Sequence, residues 1–452
     1  MRARASREKS DLDLNFQREV LAPDHRTLLG IIVSEPHRSM KLPRAGRLIG
    51  IGTLVTVLTY LALQIVGPLV PARFVSTLPQ TTFYGLPDSA SVMIREGELR
   101  LAEGDFGAAT RAAIQALQTS PVEGRALQLL AKIAESQGEP ARANGLMQLA
   151  AQRSLRDHSP HGWLFHRAVV EGEFTVALRH ADVVLRRHWR LRSQFLQSLI
   201  FLASDDRSRD EVIKVLVQNP PWRSWFLREF ARGAPALPDT MRFYDLLQAS
   251  AQPPTESELA PYLDRTVTAG HFEHAFRSWM NSLPPERRQH STQFYNGNFR
   301  FPVSNLPYDW IIQRARGVTT EVVDHPDRSG RVLQIRFVNA QLQFRHVRKL
   351  MLLTPGIYRL SGNVLARDLR TPRGLHWKLL CADGRRQVLA ETANVAGTTD
   401  GWIEFEHEFH VPKLDCHAQW LRLELAADAQ PRVESGVVWY DSMMVTSKSV
   451  GH

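Results

Sequence analysis

The chain has 452 residues, 43% of them hydrophobic and 23% charged; this is the balance of a globular protein with two or three real cores, and it excludes widespread disorder. A formal net charge of +10 admits nucleic acid, an anionic membrane surface or an acidic glycan as partner without choosing among them. Two cysteines exclude a disulfide-dense scaffold and any four-thiolate zinc site.

Residues 1–46 mix charges with few aromatics and read as a cytoplasmic tail. From Leu48 to Val70 the chain runs LIGIGTLVTVLTYLALQIVGPLV without a charged side chain. At about 1.5 Å per residue, a helix of that length spans a hydrocarbon core of roughly 30 Å, so residues 47–71 are predicted to form one transmembrane helix. A cleaved signal peptide is the rival reading, but its apolar stretch is usually ~7–15 residues and its charged lead is shorter. Arg2, Arg4, Arg7, Lys9, Arg18, Arg26, Arg38, Lys41, Arg44 and Arg47 precede the segment, whereas Arg73 alone follows it before Arg95. This asymmetry places the N-terminus in the cytoplasm, with inner-membrane lipid against the tail and the bulk of the chain outside, in the periplasm of a Gram-negative cell. Nucleic acid then drops out as a partner of that bulk.

After a linker (72–88), residues 89–298 read as helical repeats. Gly104-Asp105-Phe106-Gly107-Ala108-Ala109 is echoed by Gly138 to Ala143 and by Gly172 to Ala177, each 34 positions on, and out of phase by Gly270 to Ala275. Between the third and fourth copies Asp206 stands where the Gly would fall. A helical hairpin needs a residue that turns the chain, hence Gly104, Gly138, Gly172 and Gly270. It needs small side chains where its helices cross, hence Ala109, Ala143, Ala177 and Ala275. Each hairpin leaves an apolar face uncovered, so such pairs stack into a solenoid. The period and the G-x-[FP]-x-x-A core resemble the tetratricopeptide repeat (TPR) family, which implies a scaffold that binds a protein partner. Arg179, Arg186, Arg187, Arg190 and Arg192 fall on these repeats and admit two readings, a solvated helix face or a contact for acidic polysaccharide or lipid headgroups.

Beyond Leu283-Pro284-Pro285, helical periodicity gives way to short alternating runs between turn signals. Strands are predicted over 332–338, 342–347, 356–367, 375–381, 403–411, 420–426 and 437–445, an antiparallel β-sandwich of the jelly-roll kind over 299–447, with 448–452 as a tail. Alternation turns Tyr358, Leu360 and Val364 inward and Arg359, Ser361, Asn363 and Arg367 outward. It turns Ile403, Phe405, Phe409 and Val411 inward, leaving Trp402, Glu404, Glu406 and Glu408 outward, and buries Leu421, Leu423 and Leu425 beneath an exposed Trp420, Arg422 and Glu424. Trp377 and Trp439 read as core. The runs LLTPGIYRLSGNVLAR, GLHWKLLC, DGWIEFEHEFHVP, CHAQWLRLELA and GVVWYDSMMV are similar to the jelly-roll domains of carbohydrate-binding modules and the galactose-binding-like group. The fold class expected is therefore α+β multidomain: one transmembrane helix, an α-helical TPR-like solenoid, then the β-sandwich.

A sugar ring packs its C–H face on an aromatic ring while carboxylates, amides and guanidinium groups take its hydroxyls. Arg359, Asn363, Trp402, Glu404, Trp420 and Arg422 are accordingly the candidate glycan-binding residues, with packing of the two tryptophans against a neighbouring domain as the competing reading. Cys381 and Cys416 admit a disulfide or two separate buried thiols. No catalytic constellation, metal site or cofactor motif is present: Glu404, Glu406 and Glu408 stand side by side rather than flanking a bond, and there is no phosphate loop or nucleophile elbow. The function expected is a non-catalytic, membrane-anchored scaffold holding a protein partner and a polysaccharide, in the assembly or export of a surface polysaccharide. A glycan-acting hydrolase or lyase and a purely structural envelope spacer are the alternatives.

Overall fold

The computed structural model describes residues 89–448, except 155–156, 234–235, 291–293, 328, 341–342, 372–373, 384–385 and 427–433. The tail, the apolar segment 47–71 and the linker lie outside the described residues, and no helix among those described is long and apolar enough to cross a membrane. The chain divides into two compact units, Met1–Leu199 and Ile200–His452. The last helices thus share a unit with the sandwich, where the sequence pattern alone suggested a boundary at 298/299.

In the first unit three helix pairs follow one another: α1 (Ala90–Ala102) with α2 (Phe106–Thr119), α3 (Gly124–Ser136) with α4 (Pro140–Arg153), and α5 (His158–Glu171) with α6 (Phe174–Arg187). Each first helix ends in the same way. Gly104, Gly138 and Gly172 have φ of +82°, +76° and +81°, and the next amide reaches back over the turn, from Asp105 to the Arg100 carbonyl at 2.9 Å and from Glu139 to Ala134 and Glu173 to Ala168 at 2.8 Å. This six-to-one bond on a left-handed residue satisfies carbonyls that the helix end would leave bare, and glycine adopts that conformation without strain. Ala109, Ala143 and Ala177 are each wholly buried. At the first crossing the backbones approach so closely that a Cβ on Gly97 would lie 2.5 Å from Leu129 Cδ2 and 3.3 Å from the Ala109 carbonyl oxygen. Arg179, Arg186, Arg187 and Arg190 are exposed and Arg192 half-buried, with Arg186 paired to Asp182 at 2.7 Å.

Helix α7 (Arg192–Ser204) contains the division between the units, and α8 (Arg209–Val217), α9 (Arg223–Gly233), α10 (Leu237–Gln248), α11 (Glu256–Thr268), α12 (Phe272–Ser282) and the single turn α13 (Pro285–Arg288) follow. Asp206, the residue in the glycine position, lies in the turn after α7. There the side chain of Arg209, 2% exposed, does the capping: it donates to the carbonyls of Ala203 at 3.1 Å and Ser204 at 2.6 Å and pairs with Asp206. The fourth glycine, Gly270, has φ +83°, His271 N–H donates to the Thr266 carbonyl at 3.0 Å, and Ala275 is wholly buried.

The sandwich is built from β1 (Trp310–Ile312), β2 (Val318–Asp324), β3 (Arg331–Ala340), β4 (Val347–Met351), β5 (Gly356–Arg370), β6 (Leu375–Cys381), β7 (Val388–Glu391), β8 (Ile403–Val411), β9 (Gln419–Leu425) and β10 (Glu434–Ser447). They form two five-stranded antiparallel sheets, ordered β1-β4-β9-β6-β7 and β2-β3-β10-β5-β8, as in a jelly roll. Tyr358, Leu360, Val364, Trp377, Leu421 and Leu423 pack in the core between them. Trp310 is wholly buried there, 5.2 Å from Phe299 and 5.7 Å from Trp377 between ring centres.

Several expectations are corrected. The strand expected at 342–347 lies instead at Val347–Met351, because Phe344 enters the core from the preceding connection and the true strand carries Arg348 and Lys349, which hide its apolar pattern. Ile403 is 45% exposed: the edge strand β8 begins at the rim, beyond the cover of the opposite sheet. Trp439 is buried, but on the outer face, in a small cluster with Val332 and Leu365. Glu424 is 9% exposed rather than open to solvent.

Candidate functional site

The structure does not bring the six candidate residues together. Arg359 and Asn363 on β5 pair with Glu408 and Glu404 on β8, so they share one outer face with Trp402. Trp420 and Arg422 lie on β9 in the other sheet. Trp402 is half-buried: His325 stacks on it at 4.7 Å between ring centres, its indole N–H donates to Asp327 Oδ2 at 2.9 Å, and it packs on the cluster that includes Trp439. Arg359 is paired with Glu406 at 3.2 Å and Lys448 with Glu408 at 2.6 Å. On that face Trp402, Arg359 and Lys448 are thus already engaged within the protein.

Trp420 and Arg422 are placed differently. They line a cleft of about 970 Å³ whose other wall is helical. The helical wall is fixed by a buried ion pair: Arg223, 3% exposed, and Glu258, 2% exposed, bring Nη2 and Oε2 to 3.2 Å. Arg223 also donates to the Leu216, Gln252 and Pro253 carbonyls at 2.9, 3.1 and 3.0 Å. Glu258 in turn closes a capping box with Thr255 at the start of α11, which satisfies the first amides of that helix. Burial raises the Glu258 pKa, but Ser224, the Thr255 amide and Arg223 outweigh it, so the carboxyl stays below its ordinary range. With α9 so locked to α11, Arg228 and Arg232, four apart and on one helix face, reach the cleft together with Asp264 and Arg265.

The sheet wall is built on register. Arg348 lies directly across from Arg422, and Leu350 across from Trp420. The Arg348 guanidinium sits 4.9 Å from the Trp420 ring centre and that of Arg422 5.9 Å, a cation–π arrangement that holds both planar forks in place. Burial lowers the Arg422 pKa; Glu424 opposes, and Arg348, Arg386 and Arg345 push it further down. Cys381 and Cys416 are bonded to each other, which tethers the turn after β6 beside β9. On that turn Asp383 accepts from the His417 amide at 3.1 Å and meets His417 Nδ1 at 2.5 Å. Burial raises the Asp383 pKa, but the bonds to His417 prevail and hold it below the usual carboxylate range; the same partner raises that of His417. Arg386 follows on the same turn and faces the cleft.

Six arginines, Arg228, Arg232, Arg265, Arg348, Arg386 and Arg422, thus line one cleft against two carboxylates, Asp264 and Asp383. Of these, only Arg422 was singled out in the sequence. Arg228 and Arg232 carried a signal in their spacing. Arg348 carried none, since its place depends on which residue of β9 it opposes. Among the described residues no cluster of His, Cys, Asp or Glu could hold a metal ion.

No family model matches the chain, and no curated protein matches it. Among solved structures the β-sandwich resembles carbohydrate-binding modules. A structure described as "CBM4 structure and function" is 19% identical with a TM-score of 0.27, over 34% of this chain and 99% of that one. The CBM22-1 xylan-binding domain of Paenibacillus barcinonensis Xyn10C is 13% identical with a TM-score of 0.24, over 34% and 94%. TmCBM61 in complex with β-1,4-galactotriose is 15% identical with a TM-score of 0.23, over 35% and 100%. At this similarity the ligands of those modules say nothing about the cleft, whose chemistry is carried by its own residues.

Proposed function

We propose that this chain is a non-catalytic, membrane-anchored scaffold that binds a polysaccharide in the cleft of its second unit and a protein partner on its TPR-like hairpins, in the assembly or export of a surface polysaccharide. The cleft carries the glycan reading: a half-buried indole, Trp420, beside guanidinium forks in a cavity of about 970 Å³. Such a cavity is the size of a ligand site, and its donors suit sugar hydroxyls. The protein-binding role rests on the resemblance of the hairpins to tetratricopeptide repeats. The bond between Cys381 and Cys416 favours an oxidising compartment, in keeping with the uncharged run from Leu48 to Val70 as an anchor. A binding rather than catalytic role accords with Asp383, which is engaged by His417 and is held ionised rather than ready to donate a proton.

Affinity electrophoresis of the full chain through gels containing neutral or acidic polysaccharides tests the reading. At least one polymer retards the protein, Trp420→Ala reduces that retardation about tenfold or more, and Trp402→Ala leaves it unchanged. Free migration in every gel refutes the glycan role.

A further inference from the structure

The two outer faces of the sandwich balance their charges differently, and the difference names a ligand class. On the β5/β8 face Arg359 pairs with Glu406 and Lys448 with Glu408, while Arg367 lies over the Trp439 ring at 5.5 Å. In the cleft, Arg228, Arg348, Arg386 and Arg422 have no carboxylate partner among the described residues. Arg348 and Arg422 stand directly opposite each other on β4 and β9, and Lys378 flanks Arg422 from β6, although Glu391 takes up the lysine at 2.6 Å. Like charges opposed across a sheet repel. The Nε atoms of Arg348 and Arg422 are moreover buried without a hydrogen-bond partner, and a buried donor left unsatisfied is costly. An anion at the open ends of the two guanidinium groups offsets their mutual repulsion. Arginine forks bind carboxylates through paired hydrogen bonds, and Trp420 keeps the forks in position.

We propose, resting on the glycan reading above, that the cleft recognises an acidic polysaccharide, with a carboxylate of the chain seated between Arg348 and Arg422 beside Trp420. Arg228 on α9 and Arg386 on the turn after β6 receive further carboxylates along the same polymer. Asp383 does not compete for them, being engaged by His417.

Calorimetric titration of the full chain tests this with a panel of uronate oligosaccharides (galacturonate, alginate and hyaluronan), their carboxyl-reduced counterparts, and polyglutamate as a polyanion without sugar. At least one uronate binds, and its carboxyl-reduced form and polyglutamate bind at least about tenfold more weakly, the size expected for loss of a charge-assisted pair. Arg422→Gln and Arg348→Gln each weaken the uronate about tenfold, the exposed Arg228→Gln weakens it less, Arg359→Gln leaves it unchanged, and added salt weakens binding throughout. Equal affinity for the carboxyl-reduced chain overturns the acidic preference while leaving glycan binding intact. Binding to neither form overturns both. Polyglutamate binding as tightly as the uronate overturns recognition of a saccharide. Should Arg422→Gln lower the thermal midpoint, Arg228→Gln on the helix surface decides the matter, and no loss of uronate affinity in that variant overturns the proposal.

Discussion

Lys349 is the residue whose surroundings are least expected for its chemistry. It points into the core with 1% exposure, donates to the Tyr308 carbonyl at 2.7 Å, and has the rings of Phe294, Trp310 and Tyr295 at 5.2, 5.3 and 5.8 Å. Burial pulls its pKa down from 10.5 to about 8, against the opposing pull of Asp309. Between those two values the unfolded chain holds the extra proton, so stability rises with pH from about 8 toward 10, by about 3 kcal/mol at most. Above that range the buried hydroxyls of Tyr308 and Tyr440, whose pKa burial raises, reverse the trend, because the unfolded chain ionises first. Urea unfolding at several pH values shows the rise in the parent and its absence in Lys349→Met; an identical rise in both assigns it to another group. The same residue marks a limit of sequence reading: a lysine in the centre of β4 masks an apolar pattern, and nothing in the chain announces the aromatic box around it. Trp402 and Trp420 were equally legible as outward residues. Only the register of β9 and the stacking of His325 separate the tryptophan in a cleft from the one packed under a neighbour.

At the scale of elements the hairpins are the most legible part, because glycine and alanine are there for reasons of backbone geometry. A Cβ at Gly104 would meet nothing within 4 Å, yet φ is +82°, so Gly104→Ala costs about 1 kcal/mol through conformation alone. Gly97→Ala places its methyl 2.5 Å from Leu129 Cδ2 and costs about 1–3 kcal/mol through packing. Trimming the obstacle in the double variant Gly97→Ala/Leu129→Ala separates the two mechanisms. The cost of Gly97→Ala shrinks in that background and the cost of Gly104→Ala does not, as followed by helical circular dichroism in urea; equal behaviour of the two glycines contradicts the distinction. The turn at Asp206 shows what repeat spacing alone does not convey, since Arg209 replaces glycine as the cap by reaching the bare carbonyls. The longer strands β3, β5, β6, β8, β9 and β10 were readable from alternation, whereas β1 and β7 were not. They have three and four residues, too few for alternation to register. In β2, on the edge, no residue is fully buried.

For the molecule as a whole, the Cys381–Cys416 bond spans 35 positions, and closing such a loop contributes about 3–4 kcal/mol on the chain-entropy account. Cys381→Ala/Cys416→Ala accordingly lowers the thermal midpoint of the second unit, as read by calorimetry; an unchanged midpoint contradicts a stabilising role for the bond. The cleft depends on that bond to set Ala382, Asp383 and Arg386 beside β9, and on the Arg223–Glu258 pair to set α9 and α11. Neither dependence was visible before folding, because residues far apart in the chain meet only when the sheets and the last helices assemble in one unit. Hydrogen exchange on the full chain, with and without a bound uronate oligosaccharide, tests the placement of the site most directly. Ligand in the cleft protects 228–232, 257–272, 347–351, 382–383 and 419–422. Protection instead over 359–364 and 402–408 contradicts it and returns the site to the opposite face of the sandwich.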